Sequence, residues 1–432
     1  SGNEKFSPLT IASRIGAMVT VVLVSTLSFT SFFALHYAQF FLAPLLVPEV
    51  AILGVYFSIL SGIGFFFAFL FYYVPIAKRK DNCDKRMLII SGLIVQMVFG
   101  VLQSTAGSSW VFLFMRFCLA LGCAMSLLPL FQVIKHLEIQ PGLPSGAGME
   151  FAVFFLGIYL ALGVSSLSFT FFSVFGWEFA FAMFGLLAGA TVIAVIVLVP
   201  ADRQLKDDDD EAVVEHGLKL VTFWFSQPSP AILLAAGVLR ALAFLTIVSF
   251  LTIHLLLDSW PEVQPWASSL TIGFAYAIGG SLSVLSAPLI SNSMSSDSPR
   301  RDFPAFLAAG GALLSLAFVM GILYIPLAFW ARAIFLGLAF LCGENWLVIS
   351  TQLAKVRAAA EYPDSANAFA TSYVILVFVL GSILLPLIGM AMDLGMAMWM
   401  LLTIFLPITL GGSALLYIAL AVLDKGGVCV RN

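Results

Sequence analysis

The sequence predicts an all-α membrane protein, with twelve transmembrane helices in two six-helix, pseudo-symmetric bundles. Three observations predict it: a composition too apolar for water, twelve apolar runs of spanning length, and the placement of Lys and Arg between those runs.

Of the 432 residues, 61% are hydrophobic and only 10% are charged, against about 25% charged in an ordinary soluble domain. Most of the surface therefore does not face water. The 41 Phe and 34 Gly agree, since Gly is more frequent in membrane helices than in soluble ones. The formal net charge of −3 carries no basic excess of the kind that binds nucleic acid. Cys83, Cys118, Cys123, Cys342 and Cys429 show no paired spacing, so no disulfide framework, metal site or cofactor is expected from them. The first apolar run lacks a signal-peptide cleavage pattern and reads as a retained membrane helix.

A helix needs about 20 apolar residues to cross a bilayer, because in lipid each backbone polar group must be paired within the element. Such runs fall at 16–42, 50–76, 87–106, 109–134, 147–172, 178–199, 230–257, 266–290, 304–324, 327–354, 365–390 and 394–422. They are numbered here as spans 1 to 12. Only three of the 20 Lys and Arg lie inside spans: Arg116, Arg240 and Arg332. All the others sit in termini, at flanks, or in the connections after spans 2, 4, 6, 8 and 10, and none in the connections after spans 1, 3, 5, 7, 9 and 11. This complete alternation places both termini in the cytoplasm, with a plasma or inner membrane as the expected location.

The longest break divides the chain into an N-terminal bundle (1–199), a cytoplasmic linker (200–229) and a C-terminal bundle (230–432). The linker carries the acidic run 207–211, the pattern of a solvated segment. Phe223-Trp224-Phe225 follows and is expected on the inner membrane surface. The halves repeat one another weakly. Pro48-Glu49-Val50 recurs as Pro261-Glu262-Val263, Pro75 recurs as Pro288, and Arg116 has a counterpart in Arg332.

Between spans 2 and 3 the chain reads Ala77-Lys78-Arg79-Lys80-Asp81-Asn82-Cys83-Asp84-Lys85-Arg86. With the six-plus-six layout and the cytoplasmic linker, this resembles the major facilitator superfamily, whose loop at this place runs Gly-x-Leu-Ala-Asp-Arg-x-Gly-Arg-Lys/Arg. Asp81, Lys85 and Arg86 match; Ala77, Arg79, Asn82 and Asp84 depart from it. The resemblance implies a transporter working by alternating access, with Asp81, Lys85 and Arg86 in a conformational charge network. The same charges also suit plain topology setting. In span 4, Arg116 matches a family Arg, but Ala120 stands where the family often has Gly. Span 5 lacks the Gly-Pro signature associated with many antiporters.

The resemblance also implies that spans 1, 4, 7 and 10 line a central cavity, so Arg116, Arg240 and Arg332 all fall on cavity helices. An arginine within a membrane is costly and normally meets a partner or a water-filled cavity. Its guanidinium fork matches carboxylate and phosphate. The expected solute is a small anionic or zwitterionic molecule held by Arg116 with Arg240 or Arg332; structural ion pairing is the competing reading for each. Arg240 and Glu344 each lie about ten residues, or ~15 Å, from the inner end of their spans, a matched depth at which they can pair. A carboxyl in hydrocarbon favours its neutral form, which makes Glu344 the candidate for proton coupling. His36 and His254, near the outer ends of spans 1 and 7, are further binding or gating candidates; a satisfied interfacial histidine is the competing reading.

No phosphate-binding Gly-rich loop and no His-Glu-x-x-His motif is present, so neither an enzyme nor a primary pump is expected. The partners expected are a solute, the lipid bilayer and protons, around a monomer. An efflux antiporter and a lipid or lysolipid flippase of the same fold are the alternatives.

Overall fold

A computed structural model of the chain describes residues 16, 18–30, 85–138, 148–199, 218–259, 262–292 and 303–425. Span 2, the outer part of span 1, the acidic run 207–211 and the repeat members Pro48-Glu49-Val50, Pro75 and Pro261 lie outside the described residues.

Among the described residues every regular element is helical, and ten helices are long and apolar enough to cross a membrane. Met18–Thr30 is a shorter apolar helix at span 1. Spans 3 to 6 run Lys85–Gln103, Ser109–Glu138, Met149–Phe172 and Trp177–Leu198. Spans 8, 9 and 11 run Pro265–Asn292, Phe303–Tyr324 and Ala366–Asp393.

Among the described residues three spans are interrupted. Span 7 runs Pro228–Thr246, widens into a π turn at Ile247–Leu251 and resumes at Thr252–Asp258. The Ile247 carbonyl receives the hydroxyls of Thr252 at 3.4 Å and Tyr276 at 3.2 Å. Span 12 runs Met398–Leu406, a π turn Pro407–Gly411 and Gly412–Lys425; a proline lacks the N–H that a regular turn would use there. Span 10, continuous in the hydropathy pattern, is broken: Phe329–Gly343 ends before Glu344, and Trp346–Glu361 begins after Asn345.

Packing follows small residues. Spans 3 and 6 touch at Gly100 and Gly185, where a Cβ on Gly185 would lie 2.8 Å from the Val101 nitrogen; such contacts replace the hydrophobic driving force that lipid removes. In the N-terminal bundle, Gln96 Nε2 donates to Ser28 Oγ (3.1 Å), Ser126 Oγ (2.7 Å) and the Gly122 carbonyl (3.3 Å), joining spans 1, 3 and 4. In the C-terminal bundle span 7 packs on spans 11 and 12, and span 10 on spans 8, 9 and 11.

The halves meet along spans 5 and 8. Gly163 lies against Ala277, Gly273 against Ser166 and Gly280 against Tyr159, so one chain rises as the other falls and the two spans are antiparallel. At the end that carries most Lys and Arg, Gly148 of span 5 rests on Gln352 of span 10.

The aromatic run packs against span 11. Lys219–Ser226 is a short helix whose Leu220, Phe223 and Trp224 are buried. Trp224 Nε1 donates to Ser372 Oγ at 3.0 Å, Ser372 donates to the Leu220 carbonyl at 2.9 Å, and the Phe223 ring meets Phe369 at 5.1 Å. A buried indole needs an acceptor for its N–H, and span 11 supplies one. Of the three aromatics, Phe225 alone is exposed.

Candidate functional site

The break in span 10 falls at the depth of Arg240 on span 7. Gly343 ends the first segment, and Glu344 takes φ −83°, ψ −1°, which turns its carboxyl out of the helical ladder. Arg240 Nη2 and Glu344 Oε1 are 3.3 Å apart, and both side chains are fully buried. Glu344 Oε2 accepts two further bonds, from Tyr159 OH at 2.6 Å and from Trp346 Nε1 at 3.0 Å. One carboxylate thus gathers donors from spans 5, 7 and 10.

Two glycines make room for this network. A Cβ on Gly343 would lie 2.2 Å from Arg240 Nη2, so glycine lets the guanidinium lie against the end of the first segment. There the free carbonyl ends of a helix favour a cation. A Cβ on Gly280 would lie 2.0 Å from Tyr159 Cδ1, so span 8 offers its backbone as a shelf for the tyrosine ring.

Aromatic rings wall the site. Tyr159 meets Phe244 and Phe340 edge-on, each at 6.1 Å. Phe378 closes on Phe244 at 6.4 Å and on Trp346 at 6.3 Å. In such a buried, apolar enclosure charge interactions are several times stronger than in water. The network is nevertheless not saturated. Arg240 Nε and Nη1, Ser315 Oγ and Asn345 Oδ1 are buried without a hydrogen-bond partner among the described residues. Ser315 Oγ is 3.1 Å from where a Gly343 Cβ would stand, so it neighbours Arg240. Unmatched buried groups of this kind are rare in folded proteins.

The other candidates are placed elsewhere. Arg332 pairs with Asp258 at the far end of spans 7 and 10, with 21% and 47% of the side chains exposed. Asp258 is 18 residues beyond Arg240, or about 27 Å along the helix. Arg240 and Arg332 therefore stand far apart in this structure: Arg332 is near its helix end, where a long cation reaches out to the interface. His254 is half-buried, one turn before Asp258, within reach of both charges of that pair. Arg116 is buried in the N-terminal bundle, on the face of span 4 that carries Cys123. His36 and Asp81 lie outside the described residues. Lys85 is the first residue of the span 3 helix, and Arg86 Nη2 donates to the Ile196 carbonyl, tying spans 3 and 6.

The sequence reading missed three participants. Tyr159 and Trp346 had no distinguishing pattern among the many aromatics; the only signal was that a polar aromatic deep in a span needs a partner. Arg357 read as a flanking charge. It joins Asp424 at 2.7 Å and Ser229 Oγ at 3.0 Å, binding spans 7, 10 and 12 at their basic end.

Helices of this number and length, paired across an interface with a buried polar centre, are those of a polytopic membrane protein. The family model for the major facilitator superfamily matches residues 21–386, and the chain belongs to that superfamily. No curated protein gives a significant match. Among solved structures, a bacterial homologue of the human lysosomal transporter Spinster, inward-facing and occupied, superposes with a TM-score of 0.68 at 14% identity, over 96% of each chain. The nucleoside transporter NupG gives 0.64 at 15% identity, over 95% of this chain and 99% of that one. A peptide transporter POT in complex with sulfate gives 0.66 at 11% identity, over 95% of this chain and 94% of that one. At these identities the likeness is one of fold.

Proposed function

We propose that this transporter carries a small anionic or zwitterionic solute together with a proton, and that Arg240 and Glu344 couple the two. The carrying observation is a fully buried ion pair whose arginine keeps two nitrogens without a partner among the described residues and whose carboxylate touches the opposite half.

The coupling follows from charge balance. With Glu344 ionised, the pair is neutral and offers little to an anion. With Glu344 protonated, Arg240 is left as an unbalanced buried cation, a costly state. An anionic group on a solute removes that cost through charge-assisted hydrogen bonds. Proton and anion therefore favour one another's binding, and binding linkage is reciprocal. With solute and proton carried together, a proton gradient directed inward would drive uptake.

The test is reconstitution into liposomes with a panel of radiolabelled carboxylates, amino acids and phosphate esters, with and without an acid exterior. One class is expected to accumulate only with the gradient. Arg240→Gln should abolish its uptake, and Glu344→Gln should abolish gradient-driven uptake while sparing exchange. Uptake indifferent to both the gradient and Arg240→Gln would overturn the reading. Lipid scrambling in the absence of solute uptake would favour a flippase instead.

A further inference from the structure

We infer that Tyr159 is a latch between the two halves, closed by ionised Glu344 and released when Glu344 takes up a proton. The inference rests on the reading of Glu344 as the proton-carrying group, and adds the means by which its charge reaches the other bundle.

Tyr159 belongs to span 5 of the N-terminal half, yet its ring stands among residues of the C-terminal half. Phe244 and Phe340 flank it, and the backbone of Gly280 lies beneath it. Its hydroxyl donates to Glu344 at 2.6 Å, and both residues are fully buried. That length is typical of an O–H donor on an ionised oxygen, a bond about twice as strong as its neutral counterpart. It is also a direct polar bond from one half to the carboxyl that balances Arg240.

The surroundings leave Glu344 in control of this bond. Among the described residues, Arg116, Arg240 and Glu344 are the only buried charged side chains. Arg240 faces Glu344 from span 7, Trp346 from span 10 and Tyr159 from span 5. On span 12, Tyr417 lies within electrostatic reach of Arg240. On span 8, Tyr276 stacks on Phe340, and its hydroxyl is engaged by Thr252 and the Ile247 carbonyl. Span 9 contributes the neutral Ser315, and span 11 the ring of Phe378. Among the described residues no second buried acid stands ready to take over when Glu344 is neutral.

Once Glu344 is protonated, the tyrosine bond becomes neutral-to-neutral, and the halves lose part of what holds them in this arrangement. Rocking of one half against the other is the motion of alternating access in such folds. The weakening corresponds to about a tenfold shift in the balance between the arrangements.

The test needs no solute. Nitroxide labels at Val197 and Val356, exposed residues near the basic ends of spans 6 and 10, report the distance between the halves in a background whose native cysteines are replaced by alanine. Between mildly alkaline and mildly acidic pH, the protein is expected to shift population between two distances by about tenfold. Tyr159→Phe, which keeps the ring, should show the acid population already at alkaline pH. Gly280→Ala, which pushes the ring off its shelf, should do the same. Glu344→Gln should be insensitive to pH. A Tyr159→Phe protein with an unchanged pH response overturns the latch and leaves Glu344's role intact. A Glu344→Gln protein that still responds to pH, or an unsubstituted protein that does not, overturns both.

Discussion

Removing the charge of Arg240 separates a dry ion pair from a solvated one. In Arg240→Met a similar apolar stem remains, but Glu344 stays buried without its cation and with two of its three donors. Leaving one member of a buried pair uncompensated costs about 3–5 kcal/mol. At about 1 °C per kcal/mol for a chain of 432 residues, the melting temperature should fall by about 3–5 °C. In the double variant Arg240→Met/Glu344→Gln both charges are gone, while Tyr159 and Trp346 still find an amide oxygen. Replacing both partners of a buried pair is often close to neutral, so the double variant should recover most of the loss, to within about 1 °C of the unsubstituted protein. Melting of the three proteins in one detergent, followed by tryptophan fluorescence, completes the cycle. The deficit of the single variant should also shrink at acid pH, where protonation of Glu344 removes the unpaired charge. A single variant as stable as the parent, or a double variant no better than the single, would refute the description of Arg240 and Glu344 as a buried, mutually dependent pair.

Asp258→Asn should change the melting temperature little, because the Arg332–Asp258 pair is partly exposed and such pairs contribute about 0–1 kcal/mol. A loss as large as that of Arg240→Met would place this pair in a far drier setting. Gly185→Leu should prevent spans 3 and 6 from closing, since even its Cβ would fall within 3 Å of the Val101 nitrogen and the Met97 carbonyl oxygen. Size-exclusion chromatography should then show loss of the monodisperse species, and a normal profile would contradict the close helix contact.

The membrane architecture was legible because it rests on quantities that need no tertiary information: run length, total charge and the alternation of Lys and Arg. The Arg240–Glu344 pair was legible for a related reason. Helix rise converts residue number into depth, and two opposite charges at one depth in hydrocarbon have strong reason to meet. Depth alone does not give the helix face or the partner span, and there the reading stopped. Arg332 was grouped with Arg240 on helix number, yet it stands near its helix end and answers to Asp258. Tyr159 was invisible because its bond joins residues 185 positions apart in the chain. The break at Glu344 left no Pro or long polar stretch, and Gly343 beside it is of a type frequent within spans. The docking of Trp224 depended on Ser372, which only the packing of span 11 against the linker helix reveals.

The central claim is that solute and proton share the Arg240–Glu344 site. The most direct measurement follows both fluxes in one preparation: external pH and radiolabelled solute, recorded together in proteoliposomes carrying the parent protein or Glu344→Gln. The account predicts that solute uptake by the parent draws protons from the medium, and that Glu344→Gln exchanges solute with no proton flux. Proton movement still locked to solute in Glu344→Gln would contradict it.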